Sequence, residues 1–210
     1  MRRRRHLLAA GVILAGLAFA RPASAQEAPD ALIKRVVSEV TSVIDSDREI
    51  RAGNRQKITA LVDSRIVPHL NFQAMTRTAT GRHWPRATAD QQRALVREFS
   101  RLLINTYAGA LSNYRPETTI EYRPLRLEAG ETEAVVRSTL KSKGGEPIQF
   151  DYYLERVDGA WKVIDLNVLG ARLVETYKNQ FNSVINADGI DGLIRMLSEK
   201  NRAVEARTRG

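Results

Sequence analysis

The stretch from Phe150 to Phe181 constrains the fold more than any other. Phe150, Tyr152 and Leu154 alternate with Asp151, Tyr153 and Glu155, the period of a strand with one oily face. Asp158-Gly159 is a hairpin turn signal, because glycine accepts positive φ without steric cost. Trp161 to Leu169 reads as the return strand, with Ile164, Leu166 and Val168 on one face, and Gly170 ends the sheet. Leu173, Val174, Tyr177, Phe181, Val184 and Ile185 then recur at helical spacing. A hairpin that runs straight into an amphipathic helix lets the helix fold back over the oily face. The rest of the chain must add sheet or cover.

Upstream the period is helical. Pro29-Asp30 opens a helix whose stripe is Leu32, Ile33, Val36, Val37, Val40, Val43 and Ile44, ending near Asp47. A second helix runs from about Arg55 to Val67 and stops at Pro68. Asn71 caps a short third helix carrying Phe72 and Met75, closed by Gly81. Thr88 and Gln91 form a capping box that starts the longest helix, to about Asn113, with Leu103, Tyr107 and Leu111 on its stripe. The period then changes to two. Thr118 to Arg123, Glu133 to Lys141, Ile148 to Val157 and Trp161 to Leu169 read as consecutive strands, which pair as an antiparallel meander. Two helices follow, from about Ala171 to Asn186 and from Ile190 to Arg207. The order predicts an α+β fold: a curved, cone-like sheet of four antiparallel strands packed against N-terminal and C-terminal helices.

Not all 210 residues belong to that fold. Arg2 to Arg5 form a positive head, Leu7 to Ala20 an apolar run too short to span a membrane comfortably, and Ala23-Ser24-Ala25 a cleavage site. Residues 1–25 therefore read as a secretion signal, and residues 26–210 as one mature domain. Cutting after Ala25 leaves 28 Lys+Arg against 24 Asp+Glu, a net charge of +4 rather than +9. What remains has no basic run of the nucleic-acid type. With no cysteine, an exported chain must be held by its core alone.

Chemistry-bearing residues are sparse. His69 and His83 have no further His, Cys or carboxylate at ligand spacing, so neither a metal nor a cofactor is expected. There is no G-x-S-x-G elbow, P-loop or dinucleotide fingerprint. Asp165 lies inside a strand, between Ile164 and Leu166. It is either a buried general base or, as alternation favours, a polar residue hydrogen-bonding on the opposite sheet surface. Phe72 and Met75 form either a movable flap or a corner of the core. The residues favour a binding protein with an apolar ligand over an enzyme, and do not name the ligand. An isomerase or lyase of the cone-shaped type, or a purely structural envelope protein, stay open on the residues alone.

An ordered set of segments resembles the MlaC, or toluene-tolerance, family along nearly the whole mature chain. It runs from Leu61-Val62-Asp63 and Ile66-Val67-Pro68 through Thr80-Gly81, Trp84, Ala87-Thr88, Gln91-Gln92-Arg93 and Phe99. It continues with Tyr107-Ala108-Gly109-Ala110-Leu111, Tyr114 and Trp161-Lys162-Val163-Ile164-Asp165. It ends with Gly170, Leu173-Val174, Tyr177-Lys178-Asn179-Gln180-Phe181 and Gly189-Ile190-Asp191-Gly192-Leu193-Ile194. The chain departs from the family pattern at the strand-to-helix corner, where Leu169 stands for a usual Glu and Ala171-Arg172 for Val-Ser. The resemblance implies a monomeric periplasmic carrier of a glycerophospholipid, or of a polycyclic hopanoid lipid. Its partners would be an outer-membrane lipoprotein complex and an inner-membrane ABC transporter. Its cargo would lie between sheet and helices. The expected lining is Phe150, Tyr152, Ile164, Leu166 and Val168 from the sheet. Leu103, Tyr107, Leu111, Val174, Tyr177 and Phe181 would face them from the helices, with Phe72 and Met75 as the part that moves.

Overall fold

The computed structural model describes residues 27–128 and 130–209; the expected signal and its cut after Ala25 lie outside them. Helix α1 (Pro29–Ser46) starts on proline, whose fixed φ suits a first turn, and buries Leu32, Ile33, Val36, Val40 and Ile44. Asp47 then caps α2 (Arg48–Arg51), accepting from the Glu49 amide at 2.8 Å. Four residues are too few to show a helical period, so α2 left no signal in the sequence. Helix α3 (Arg55–Arg65) buries Ile58, Leu61 and Val62, and a 3-10 turn through Pro68 ends it. Asn71 caps α4 (Phe72–Thr80) by accepting from the Ala74 amide at 3.0 Å, and Gly81 closes it at φ +53°.

The capping box forms in full at the start of α5 (Ala89–Tyr107). The Gln91 amide donates to Thr88 Oγ1 at 3.2 Å, and the Thr88 amide to Gln91 Oε1 at 3.0 Å. Thr88→Ala is expected to cost about 1 kcal/mol, a fall in Tm of about 3 °C on a thermal melt. Helix α5 stops six residues short of the expected Asn113. Gly109, a poor helix former, sits in the 3-10 turn Ala108–Asn113 that takes over. The two C-terminal helices are the halves of α6 (Leu173–Arg209), broken at Gly189, whose φ of 72° and ψ of −178° only glycine adopts readily. The Phe99 ring meets Tyr177 and Phe181 edge-on at 5.1 and 5.0 Å, joining α5 to the first half. In the second half the buried Asn201 amide donates to the Glu98 carbonyl at 2.9 Å and to its carboxylate at 3.1 Å.

Strands β1 (Thr119–Tyr122), β2 (Glu133–Lys141), β3 (Ile148–Val157) and β4 (Ala160–Val168) form the meander, each antiparallel to the next. Asp158 and Gly159 both take positive φ, as a two-residue hairpin of the expected kind demands. Two details differ from the expectation. Gly170 does not end the sheet: Leu169 (φ +52°) and Gly170 (φ +88°) turn the chain back, and β5 (Ala171–Arg172) pairs as a fifth strand. The register between β3 and β4 also slips, with Tyr153 opposite Asp165 but Leu154 opposite Val163. Ile164 is the extra residue of a bulge. Strict alternation would put Val163 on the face away from Leu166. The bulge puts both on the face of Tyr152 and Leu154, so Val163 and Trp161 are buried there.

Candidate functional site

Cross-strand partners share a face, so the oily side of the sheet can be followed row by row. Ala134, Leu154 and Val163 form one row, and all three are buried. In the next, Val136 is buried while Tyr152 and Leu166 are half-buried. In the third, Tyr122, Phe150 and Val168 are half-buried around Ser138, which is 2% exposed. In the last, Ile120 and Leu140 are half-buried and Ile148 is 38% exposed. One apolar face is thus sealed at one end and open at the other. At the sealed end the Asn71 amide donates to the Val163 carbonyl at 2.9 Å, bringing the start of α4 against β4. Leu169, 67% exposed, projects at the open end, its amide bonded to the Gln149 carbonyl at 3.1 Å.

The expected lining residues divide along this gradient. Phe150 faces Val168 and Tyr152 faces Leu166, so these four are neighbours on the half-covered rows. The Phe150 and Tyr152 rings stack with centroids 6.2 Å apart. Ile164 sits at the bulge, outside that register, and is half-buried. Leu103, Leu111 and Phe72 are half-buried and pack against the core, as does Tyr177. Tyr107 ends α5 with its ring exposed. The Tyr177 phenol is pushed up by burial first and by Tyr107 second. Met75, Val174 and Phe181 are buried in the core cluster. The expected lining left out Ile120, Tyr122, Ser138, Leu140 and Ile148, which complete the open rows. Pairing the alternation of β2 with that of β3 would have found the last three.

The open rows contain three hydroxyls. Tyr152 Oη lies 3.5 Å from Ser138 Oγ, and Tyr122 stands across from Ser138. Burial, then the neighbouring Tyr152, push the Tyr122 phenol up to about 12; burial pushes Tyr152 up as well. Lys34 Nζ lies 5.7 Å from the Tyr122 ring centroid and is itself held by Asp30 at 2.8 Å.

Asp165 lies on the opposite face, as alternation favours, but it is buried rather than at the sheet surface. Its Oδ1 accepts from the amides of Leu166 at 2.8 Å and Val174 at 3.0 Å, and its Oδ2 accepts from Arg172 Nε at 2.8 Å. The Arg172 guanidinium also lies 4.2 Å from the Tyr153 ring centroid. Both carboxylate oxygens are therefore engaged in fixing the corner where β5 becomes α6. A cleft of about 460 Å³ lies beyond the sealed end, lined by Asn71, Gln73, Arg77, Glu155, Arg156 and Asp158 among others. Its polar walls are the wrong chemistry for hydrocarbon. Among the described residues no helix is long and apolar enough to cross a membrane.

Comparison with known proteins agrees with this geometry. A phospholipid-binding protein from Ralstonia solanacearum, solved in complex with a phospholipid, is 43% identical. It superposes with a TM-score of 0.78 over 86% of this chain and 99% of its own. The intermembrane phospholipid transport system binding protein MlaC of Haemophilus influenzae is 23% identical over 189 residues, 89% of this chain and 88% of that protein. The toluene tolerance protein ttg2D of Pseudomonas putida is 22% identical over 187 residues, 88% and 86% of the two chains. The MlaC protein family model matches residues 34–199. The sheet, its helical cover and that match across most of the chain place it together: this protein belongs to the MlaC family.

Proposed function

We propose that the protein is a periplasmic carrier that binds one glycerophospholipid and moves it between an outer-membrane lipoprotein complex and an inner-membrane ABC transporter. The observation that carries this reading is the open end of the oily sheet face, where Phe150, Tyr152, Leu166 and Val168 are neighbours and only half-covered. Its support from outside is the lipid-bound relative from Ralstonia solanacearum. The energetics require a carrier of this kind. Two acyl chains carry roughly 30 methylenes, each worth about 0.8 kcal/mol out of water, so a free phospholipid almost never crosses an aqueous compartment unaided. The open rows offer the tails an apolar wall, and the exposed rim at Ile148 and Leu169 leaves the head group near solvent. An isomerase or lyase reading would use Asp165 or a tyrosine as its base, and both oxygens of Asp165 are already taken.

Native mass spectrometry of the secreted protein, purified without detergent, tests the proposal. The expected result is a mass increment of one diacyl phospholipid that is lost on denaturation and recovered by lipid extraction. A bare polypeptide mass, with no uptake from phospholipid vesicles, would overturn it. An increment of polycyclic mass would replace the phospholipid by a hopanoid.

A further inference from the structure

Three hydroxyls stand in a wall that is otherwise hydrocarbon, and a wall meant only for hydrocarbon has no use for them. Ser138 is 2% exposed, and its Oγ is 3.5 Å from Tyr152 Oη. An O–H···O bond is ordinarily about 2.7–2.8 Å long, so this contact is at the outer limit and leaves both groups with bonding capacity to spare. Tyr122 faces Ser138 across the strands, and the neighbours along the same rows are Val136, Phe150, Leu166 and Val168. Desolvated hydroxyls among such neighbours are unfavourable unless something accepts from them.

The acceptor that fits is uncharged. Lys34, the cation beside the cluster, is countered by Asp30 within its own helix. The remaining donors are neutral, and burial keeps the Tyr122 phenol protonated to about pH 12. Phosphate oxygens are best met by charge-assisted donors, whereas a carboxylic ester carbonyl is matched by neutral O–H groups. We infer that Tyr122, Ser138 and Tyr152 form a hydroxyl seat for the acyl-ester carbonyls of the lipid. The seat makes the protein select ester-linked glycerolipids over ether-linked or ester-free ones. The inference rests on the carrier reading and adds a criterion of cargo choice to it.

The discriminating probe is a pair of phosphatidylethanolamines with the same head group and tail length, one diester and one dialkyl ether. Both are offered in equal amounts, in mixed vesicles, to the delipidated secreted protein. Native mass spectrometry reads the ratio bound. The native protein is expected to favour the diester about tenfold, the worth of one to two net hydrogen bonds. In a Tyr122→Phe/Tyr152→Phe variant, which keeps both rings, the ratio should fall most of the way to one, and Ser138→Ala added to it should bring the ratio to about one. The ratio is internal to each variant, so it is independent of changes in overall affinity, and a thermal melt confirms that each variant is folded. Equal binding of both lipids by the native protein would overturn the hydroxyl seat and leave the carrier reading standing. A diester preference that is undiminished in the double variant, or that survives in the variant lacking all three hydroxyls, would do the same. Binding of neither lipid would remove both.

Discussion

Val168→Glu is expected to strip the protein of copurifying phospholipid while leaving it folded. Val168 ends β4 on the half-covered row beside Phe150, so a carboxylate there can still reach water from the folded chain. Against acyl tails it cannot. Pressing a charge onto hydrocarbon is unfavourable by several kcal/mol, enough to weaken binding by more than about 100-fold. Lipid phosphorus per polypeptide should fall from near equivalence to near zero, with little change in Tm. The control is Val163→Glu on the sealed row, where the same charge has no route to solvent and the fold should be lost. Unchanged lipid content in a folded Val168→Glu protein would take Val168 out of the binding wall.

Asp165→Ala should lower Tm by about 10 °C. The substitution orphans the Leu166 and Val174 amides and releases Arg172. Each buried donor left unmet costs about 1–3 kcal/mol. Arg172 adds little, because its side chain is 40% exposed and can turn to water. A total of about 3 kcal/mol at roughly 2–4 °C per kcal/mol for a chain of this size gives the expected shift. Asp165→Asn keeps an acceptor for Val174 and should lose roughly half as much. A catalytic base would behave in the opposite way, because removing an active-site charge commonly leaves stability unchanged or raised. A Tm that does not fall in the alanine variant would reopen the enzyme alternative.

What could be read in the sequence, and what could not, follows from the range of the forces involved. The β2 and β3 strands, the hairpin at Asp158-Gly159, the caps at Asn71 and Thr88 and the stop at Gly81 are set by residues within four positions of one another, and all stand where the pattern puts them. The Ile164 bulge is different. It exists only in the pairing of β4 with β3, and one added residue changes which side chains join the face without altering the alternation on either side. Leu169 at φ +52° belongs to a conformation for which leucine carries no signal. The candidate site was legible to the same depth. Periodicity placed Phe150, Tyr152, Leu166 and Val168 on one face. How far the helices cover that face depends on contacts between residues a hundred positions apart, such as Asn201 with Glu98. Hence the pattern alone did not separate the half-covered Val168 from the core residues Val174 and Phe181.

A carrier of the kind proposed must be folded before it meets its cargo. Here the order of events is built into the sheet. Leu154 and Val163 are buried by other side chains of the protein, as are Phe99, Phe181 and Leu197 in the helices. The open rows are the continuation of the same hydrogen-bonded strands. Filling is then docking onto a finished wall rather than folding around a guest. The heat-capacity change on loading should track the apolar area covered, and should lack the extra drop that accompanies a segment folding as it binds. On the proposed carrier reading, a wall that stands before the first lipid arrives also stands after it leaves, so one polypeptide would serve many rounds without passing through its unfolded state.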